Sequence, residues 1–239
     1  VSTYIYSGSG KFNQGFLVVF WDNLFLKGFL HLSKQTVQNP YLHYSGYLVA
    51  LAEFIFGARL LFRNTQKLFA WALILMHVII LLMAGPAGLN YNESVWPWNV
   101  LMMVHLYLLF IYTETAIELP VLMRKWNMVV LICWGFLPAL KPTIGGCDNF
   151  LSSRLFAGVQ PQMMFCVKDS TEIKQLLPYA RAYRIKNLCD SNAMQVNVQS
   201  WSMKEMKSPA YIEERAFKMI ANKWLEEHKG SNTKAILYY

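Results

Sequence analysis

Three ionisable side chains, Glu53, His77 and His105, lie inside otherwise apolar runs. Titratable groups in a low-dielectric span are costly and are candidates for function by default. A lone carboxylate at Glu53 stays neutral there unless a cation partners it. Lys11, after a glycine-rich stretch, admits three roles: partner of Glu53, partner of an anionic ligand, or marker of the membrane interface, with the last in the lead. Glu53, His77, His105 and Lys11 thus form a candidate intramembrane polar pocket, suited to a quinone or to proton transfer. The competing reading is a set of interhelical hydrogen bonds that lock packing. A haem held by His77 and His105 is a third reading, and it needs two helices that face each other. Arg59 lies off the face of Glu53, near enough to the interface to snorkel.

These groups need helices to position them. Residues 44–62 reach about 28 Å as a helix, close to a bilayer's hydrocarbon thickness. Residues 68–84 form a second span without Lys, Arg, Asp or Glu, closed by Gly85-Pro86-Ala87-Gly88. Proline cannot continue the hydrogen-bond ladder, and glycine suits a helix C-terminus. A third span covers 98–113, with Trp96, Trp98 and Asn99 as interface anchors and Asn99 also as a helix cap. Residues 127–140 are short for a crossing and carry Pro138, so they form either a tilted span or a half-buried helix. Residues 15–32 fit an interfacial helix, with Phe16, Val19, Phe20, Leu24 and Phe25 on one face and Asp22 and Asn23 off it. Residues 1–10 read as the end of a helix whose beginning is missing.

Basic residues set the orientation. Arg63 and Lys67 in one turn and Arg124 and Lys125 in another place both on the cytoplasmic side, with the 85–97 loop outside. Lys27 and Lys34 fall outside on this scheme and count against it. If 127–140 crosses, the remainder of the chain is external, and this is the favoured arrangement.

Residues 142–239 have an ordinary soluble composition and patterns of a small α+β domain. Strands are expected at 162–167, 194–198 and 235–239. A helix is expected from Thr171, and an amphipathic one over 209–228 with Pro209 in its first turn. The domain division is therefore 1–141 and 142–239.

Over the whole chain 55% of residues are hydrophobic and only 15% charged, against roughly 25% charged in ordinary soluble domains. The net charge of +8 is explained by basic residues flanking apolar runs, so no nucleic-acid partner is expected. Cys133, Cys147, Cys166 and Cys189 contain no C-x-x-C pair. The last three admit one disulfide in an oxidising compartment, but isolated small hydrophobes are the favoured reading. No metal spacing, Gly-x-Ser-x-Gly, Walker loop, dinucleotide fingerprint or His-Glu-x-x-His is present.

The string Tyr6-Ser7-Gly8-Ser9-Gly10-Lys11-Phe12, the Glu53-x-x-x-Gly57 helix with Leu60-Leu61, His77, and the Gly85-Pro86 to Trp96-Pro97-Trp98-Asn99 stretch occur in an order that resembles DoxX-like membrane proteins. MauE-type and vitamin K carboxylase-like bundles share the general plan. The resemblance covers roughly residues 4–115. It implies an all-α transmembrane four-helix bundle, here N-terminally truncated, and an association with quinone or thiol redox chemistry in a bacterial inner membrane. The added tail and the lack of paired membrane cysteines depart from the pattern. The expected function is a membrane accessory protein whose tail docks another membrane or envelope protein. The alternatives are a membrane enzyme acting on a hydrophobic or peptide substrate, with Lys11 or His77 as base, and a purely structural assembly subunit.

Overall fold

The computed structural model describes residues 1–113, 124–136, 161–180, 185, 187–229 and 232–238. The described chain is mostly helical with a small three-stranded antiparallel sheet. It divides into two compact units, Val1–Asn90 with Val95–Val159, and Tyr91–Ser94 with Gln160–Tyr239.

In the first unit, α1 (Ser2–Gly10) packs along α4 (Gly46–Arg59). Glycine makes this crossing tight. A Cβ on Gly8 would lie 2.7 Å from Phe54 N and 2.9 Å from Ala50 O, and one on Gly57 would lie 2.5 Å from Tyr4 Cβ. The two backbones therefore meet directly, as small residues allow between helices. Between α1 and α4 the chain forms a π-helix, Phe16–Phe29, and two short helices, α2 (Lys34–Val37) and α3 (Pro40–Tyr44). Ser33 caps α2 and Asn39 caps α3, each side-chain oxygen accepting from an orphan backbone N–H. Then follow α5 (Gln66–Ala84), α6 (Val95–Leu106) continuing in π-turns Tyr107–Tyr112, and α7 (Lys125–Leu131) continuing in π-turns Ile132–Phe136.

Several expectations shift. Residues 44–62 contain a helix of only 14 residues, too short to cross alone where about 20 are needed. Ser45 ends α3 before α4 begins, and turns follow Arg59, so the apolar run is broken at both ends. Among the described residues two helical stretches remain long and apolar enough to cross a membrane, Gln66–Ala84 and Val95–Tyr112. The helix over 15–32 buries Phe16, Leu17, Asp22 and Leu26, while Val19 is exposed. Its i→i+5 winding explains the altered face: Leu17 and Asp22 stack where a 3.6-residue period separates them. Asn99 lies within α6 and does not cap it, since the helix already begins at Val95. Of 127–140, the last four residues lie outside the described set.

In the second unit, β1 (Gln162–Val167) is flanked by β2 (Met194–Asn197) and β3 (Lys234–Tyr238) in the order β2-β1-β3. Phe165 stands opposite Val196 on one side and Ala235 on the other. Met163, Phe165, Val167 and Val196 face a core closed by α8 (Ser170–Leu176), α9 (Val198–Met206) and α10 (Glu214–Glu227) through Leu176, Val198, Phe217 and Trp224. Near the other end of the strands, Gln162 Oε1 accepts from Tyr238 Oη at 2.9 Å and from Asn197 Nδ2 at 3.1 Å. The expected helix over 209–228 starts only at Glu214. The preceding residues are held by α9 instead: Gln199 Nε2 donates to Ala210 O at 3.1 Å, and Ser202 Oγ donates to Ser208 O at 2.7 Å. Pro209 is therefore outside the helix.

The cysteine reading is corrected as well. Cys166 and Cys189 form a disulfide with Cα atoms 5.7 Å apart across a sequence separation of 23. Cys133 is free and exposed, and Cys147 lies outside the described residues. The spacing gave no hint of the pair, because nothing local to either cysteine shows that the chain returns Cys189 to the central strand. Closing a loop of this length restricts the unfolded chain by about 3 kcal/mol in the chain-entropy account. Cys189→Ser is expected to lower the unfolding stability of residues 161–238 by that amount, read by hydrogen exchange on the full chain with and without reductant.

Among the described residues, the Asp169 and Asp190 carboxyls are held below the ordinary carboxylate range. The Asp169 carboxylate, which caps α8, is lowered by the Thr171 hydroxyl and by the backbone N–H groups of Thr171 and Glu172. Asp190 is lowered by hydrogen bonding to Lys168 at 2.5 Å and by the Lys168 and Lys234 charges. A folded pKa below the ordinary 3.8 stabilises the fold above 3.8 and loses that contribution as pH falls through the depressed value. The melting midpoint of the second unit is expected to fall only slightly as pH drops through that range, because both carboxylates are solvent-accessible and screened. Asp190→Asn flattens the acid limb of a midpoint-against-pH curve.

Candidate functional site

The helix packing brings two buried polar groups of residues together around α1. Lys11 and Tyr4 are separated by two helical turns and so share a face of α1. Lys11 Nζ pairs with the Glu53 carboxylate on α4 and donates to Ser7 Oγ at 3.0 Å. The side chains are 14% and 6% exposed, so the pair is largely withdrawn from solvent. An ammonium has three donors, and these two bonds use two of them.

The second group runs from α1 through α5 to α6. Tyr4 Oη and His77 Nε2 are 2.8 Å apart, and His77 Nδ1 and Asn99 Oδ1 are 2.6 Å apart. Asn99 Nδ2 donates to Val95 O at 2.7 Å. That last bond fixes the others. A carbonyl only accepts, so the amide nitrogen of Asn99 must face Val95 and its oxygen must face His77. His77 therefore donates from Nδ1, leaving Nε2 to accept the Tyr4 hydroxyl in the neutral imidazole. Both ring nitrogens are thus satisfied within the protein. The charges of Glu53 and Lys11 also act on His77, and that of Glu53 acts on Tyr4, so the two groups form one electrostatic unit.

Of the residues singled out in the sequence, Lys11, Glu53 and His77 are assembled around this centre. His105 is not: it is exposed, and its Nδ1 donates to Leu101 O of its own helix at 2.8 Å. A haem between His77 and His105 has no support in this placement. Trp96 Nε1 donates to Ala84 O at 3.1 Å, tying α6 to the end of α5, while Trp98 is exposed. Asn99 joins the polar centre. Sequence reasoning missed Tyr4 and Ser7, although their spacing from Lys11, seven and four residues, was the available signal.

A further polar pair was also missed. Asp22 of the π-helix is buried, and its Oδ2 lies 2.7 Å from His43 Nδ1 of α3. Nearby, Trp21 Nε1 donates to Leu42 O at 2.8 Å. Among the described residues no cluster of three or more His, Cys, Asp or Glu side chains is placed to hold a metal ion. Comparison with protein-family models, with curated proteins and with solved structures finds no match to this chain.

Proposed function

We propose that this chain is an integral membrane accessory protein of DoxX-like plan, whose polar centre engages a quinone in a bacterial inner membrane. Its tail would dock a second membrane or envelope protein. The observation that carries the proposal is the buried Lys11–Glu53 pair and the Tyr4–His77–Asn99 chain set among helices with apolar outer faces. Only 28% and 11% of the most apolar windows of Gln66–Ala84 and Val95–Tyr112 are buried in the protein. The core helix of a water-soluble domain would be mostly enclosed, whereas lipid can cover such faces. Leu75, Ile79, Leu82, Leu101 and Leu108 all point outward.

His77 has no nitrogen to spare, so the hydrogen bond to a quinone carbonyl falls to the remaining donor of Lys11. The Cys166–Cys189 disulfide favours an oxidising compartment for the tail. The test is to purify the chain in mild detergent and extract bound quinone. Wild type is expected to carry quinone, and Lys11→Met is expected to lose it. Protein free of quinone, together with membrane redox activity unchanged by Glu53→Gln, would remove the redox part of the reading. Protease added to spheroplasts tests the tail: cleavage without lysis places it outside.

A further inference from the structure

The cleft beside the Asp22–His43 pair is separate from the polar centre and has a distinctive charge pattern. It encloses about 290 Å³ and is lined by Asp22, Lys27, Gln38, Pro40, His43 and Tyr44, among others. Water occupies roughly 30 Å³ per molecule in the liquid, so the cleft is larger than a hydration site needs. Asp22 is 9% exposed. One of its oxygens is engaged by His43, and the other, Oδ1, is buried with no donor among the described residues. A carboxylate oxygen left without a donor is expensive, and Asp22 also forms part of the cleft wall, where its charge favours a cationic group. Lys27 supplies the opposite sign at the same cleft, where its Nζ also donates to Asn23 Oδ1 at 2.8 Å.

We propose that this cleft binds a zwitterionic head group that couples a primary ammonium to a phosphate, the phosphoethanolamine unit. The ammonium donates to Asp22, and the phosphate accepts from Lys27. One negative and one positive wall suit a ligand with both charges better than a simple anion, which Asp22 repels, or a simple cation, which Lys27 repels. Exposed Tyr44 lines the cleft, and exposed Tyr41 lies on the same short helix; tyrosine is one of the aromatic types that sit at headgroup level. The assignment rests on the membrane reading only for the source of the ligand. A lipid and a free phosphoethanolamine share the chemistry.

The test uses the full chain in mixed micelles at equal mole fractions of phosphatidylethanolamine, its mono- and dimethyl derivatives and phosphatidylcholine, with retained lipid counted by native mass spectrometry. Methylation keeps the charge and removes the N–H donors one by one. A preference of about tenfold for phosphatidylethanolamine over phosphatidylcholine is expected from one charge-assisted hydrogen bond, with the steepest loss at the last methylation. Asp22→Asn is expected to bring that ratio near one without loss of fold, checked by an unchanged melting midpoint. Equal retention of all four lipids by wild type would overturn the proposal without need of any variant. Free phosphoethanolamine is titrated in parallel against the ring nitrogen resonances of His43. Saturable shifts that vanish in Asp22→Asn support a soluble source, and lipid preference alone supports a membrane source. If the chain dissolves in water without detergent, the membrane reading fails, and the phosphoethanolamine titration then decides this proposal by itself.

Discussion

Glu53→Ala is expected to destabilise the first unit by about 3–5 kcal/mol, the range for removing one partner of a buried ion pair. The loss comes less from the attraction forgone than from the Lys11 ammonium left with Ser7 as its only named partner. Lys11→Met should cost a similar amount by stranding the carboxylate. The double replacement Lys11→Met with Glu53→Met should recover most of it, because two apolar side chains need no partner. Midpoints of thermal unfolding in detergent for the four proteins complete a double-mutant cycle. Additive losses would show that the pair does not act as a unit, and a double variant worse than either single would show that the site needs its charge.

The second large effect is in the tail. Phe217 is 1% exposed and lies in the cluster that contains Phe165, Leu176 and Trp224. Truncation to alanine removes a ring from a packed core and leaves a cavity, a loss of about 3–5 kcal/mol. Phe217→Leu conserves more of the volume and should lose less than half as much. Hydrogen exchange of the amides in β1 reports the change, since these strand bonds open only with the whole unit. An equal effect of both substitutions would mean that the aromatic ring itself, not its volume, holds the sheet to its helices.

What the sequence made legible follows from how local each signal is. The strands at 162–167 and 194–197 and the helix at Gln66–Ala84 emerge because one short window contains their whole pattern. The start of α10 was misplaced because residues 208–213 are decided by Gln199 and Ser202, which lie outside the window. The π-helix defeated a periodicity argument that assumes 3.6 residues per turn, and so Asp22 was assigned to the wrong face. The candidate site was legible in its residue types, since Lys11, Glu53 and His77 are unusual where they stand. Its membership was not: His105 satisfies itself on its own helix, whereas Tyr4 and Asn99 enter through contacts 73 and 22 residues away. Disulfide pairing was hidden for the same reason of distance.

The chain of bonds from Tyr4 to Val95 has a sense of direction. Phenol gives to imidazole, imidazole to amide and amide to a backbone carbonyl, so every arrow leads away from α1. Successive bonds aligned in this way polarise one another. The acceptor at the far end has no proton to return, so the order cannot be reversed while the helices stay in register. Weakening the final link at Asn99 therefore loosens the grip on Tyr4, two helices away. In this fold α1 and α6 are therefore coupled through α5, and a change at either end is felt at the other.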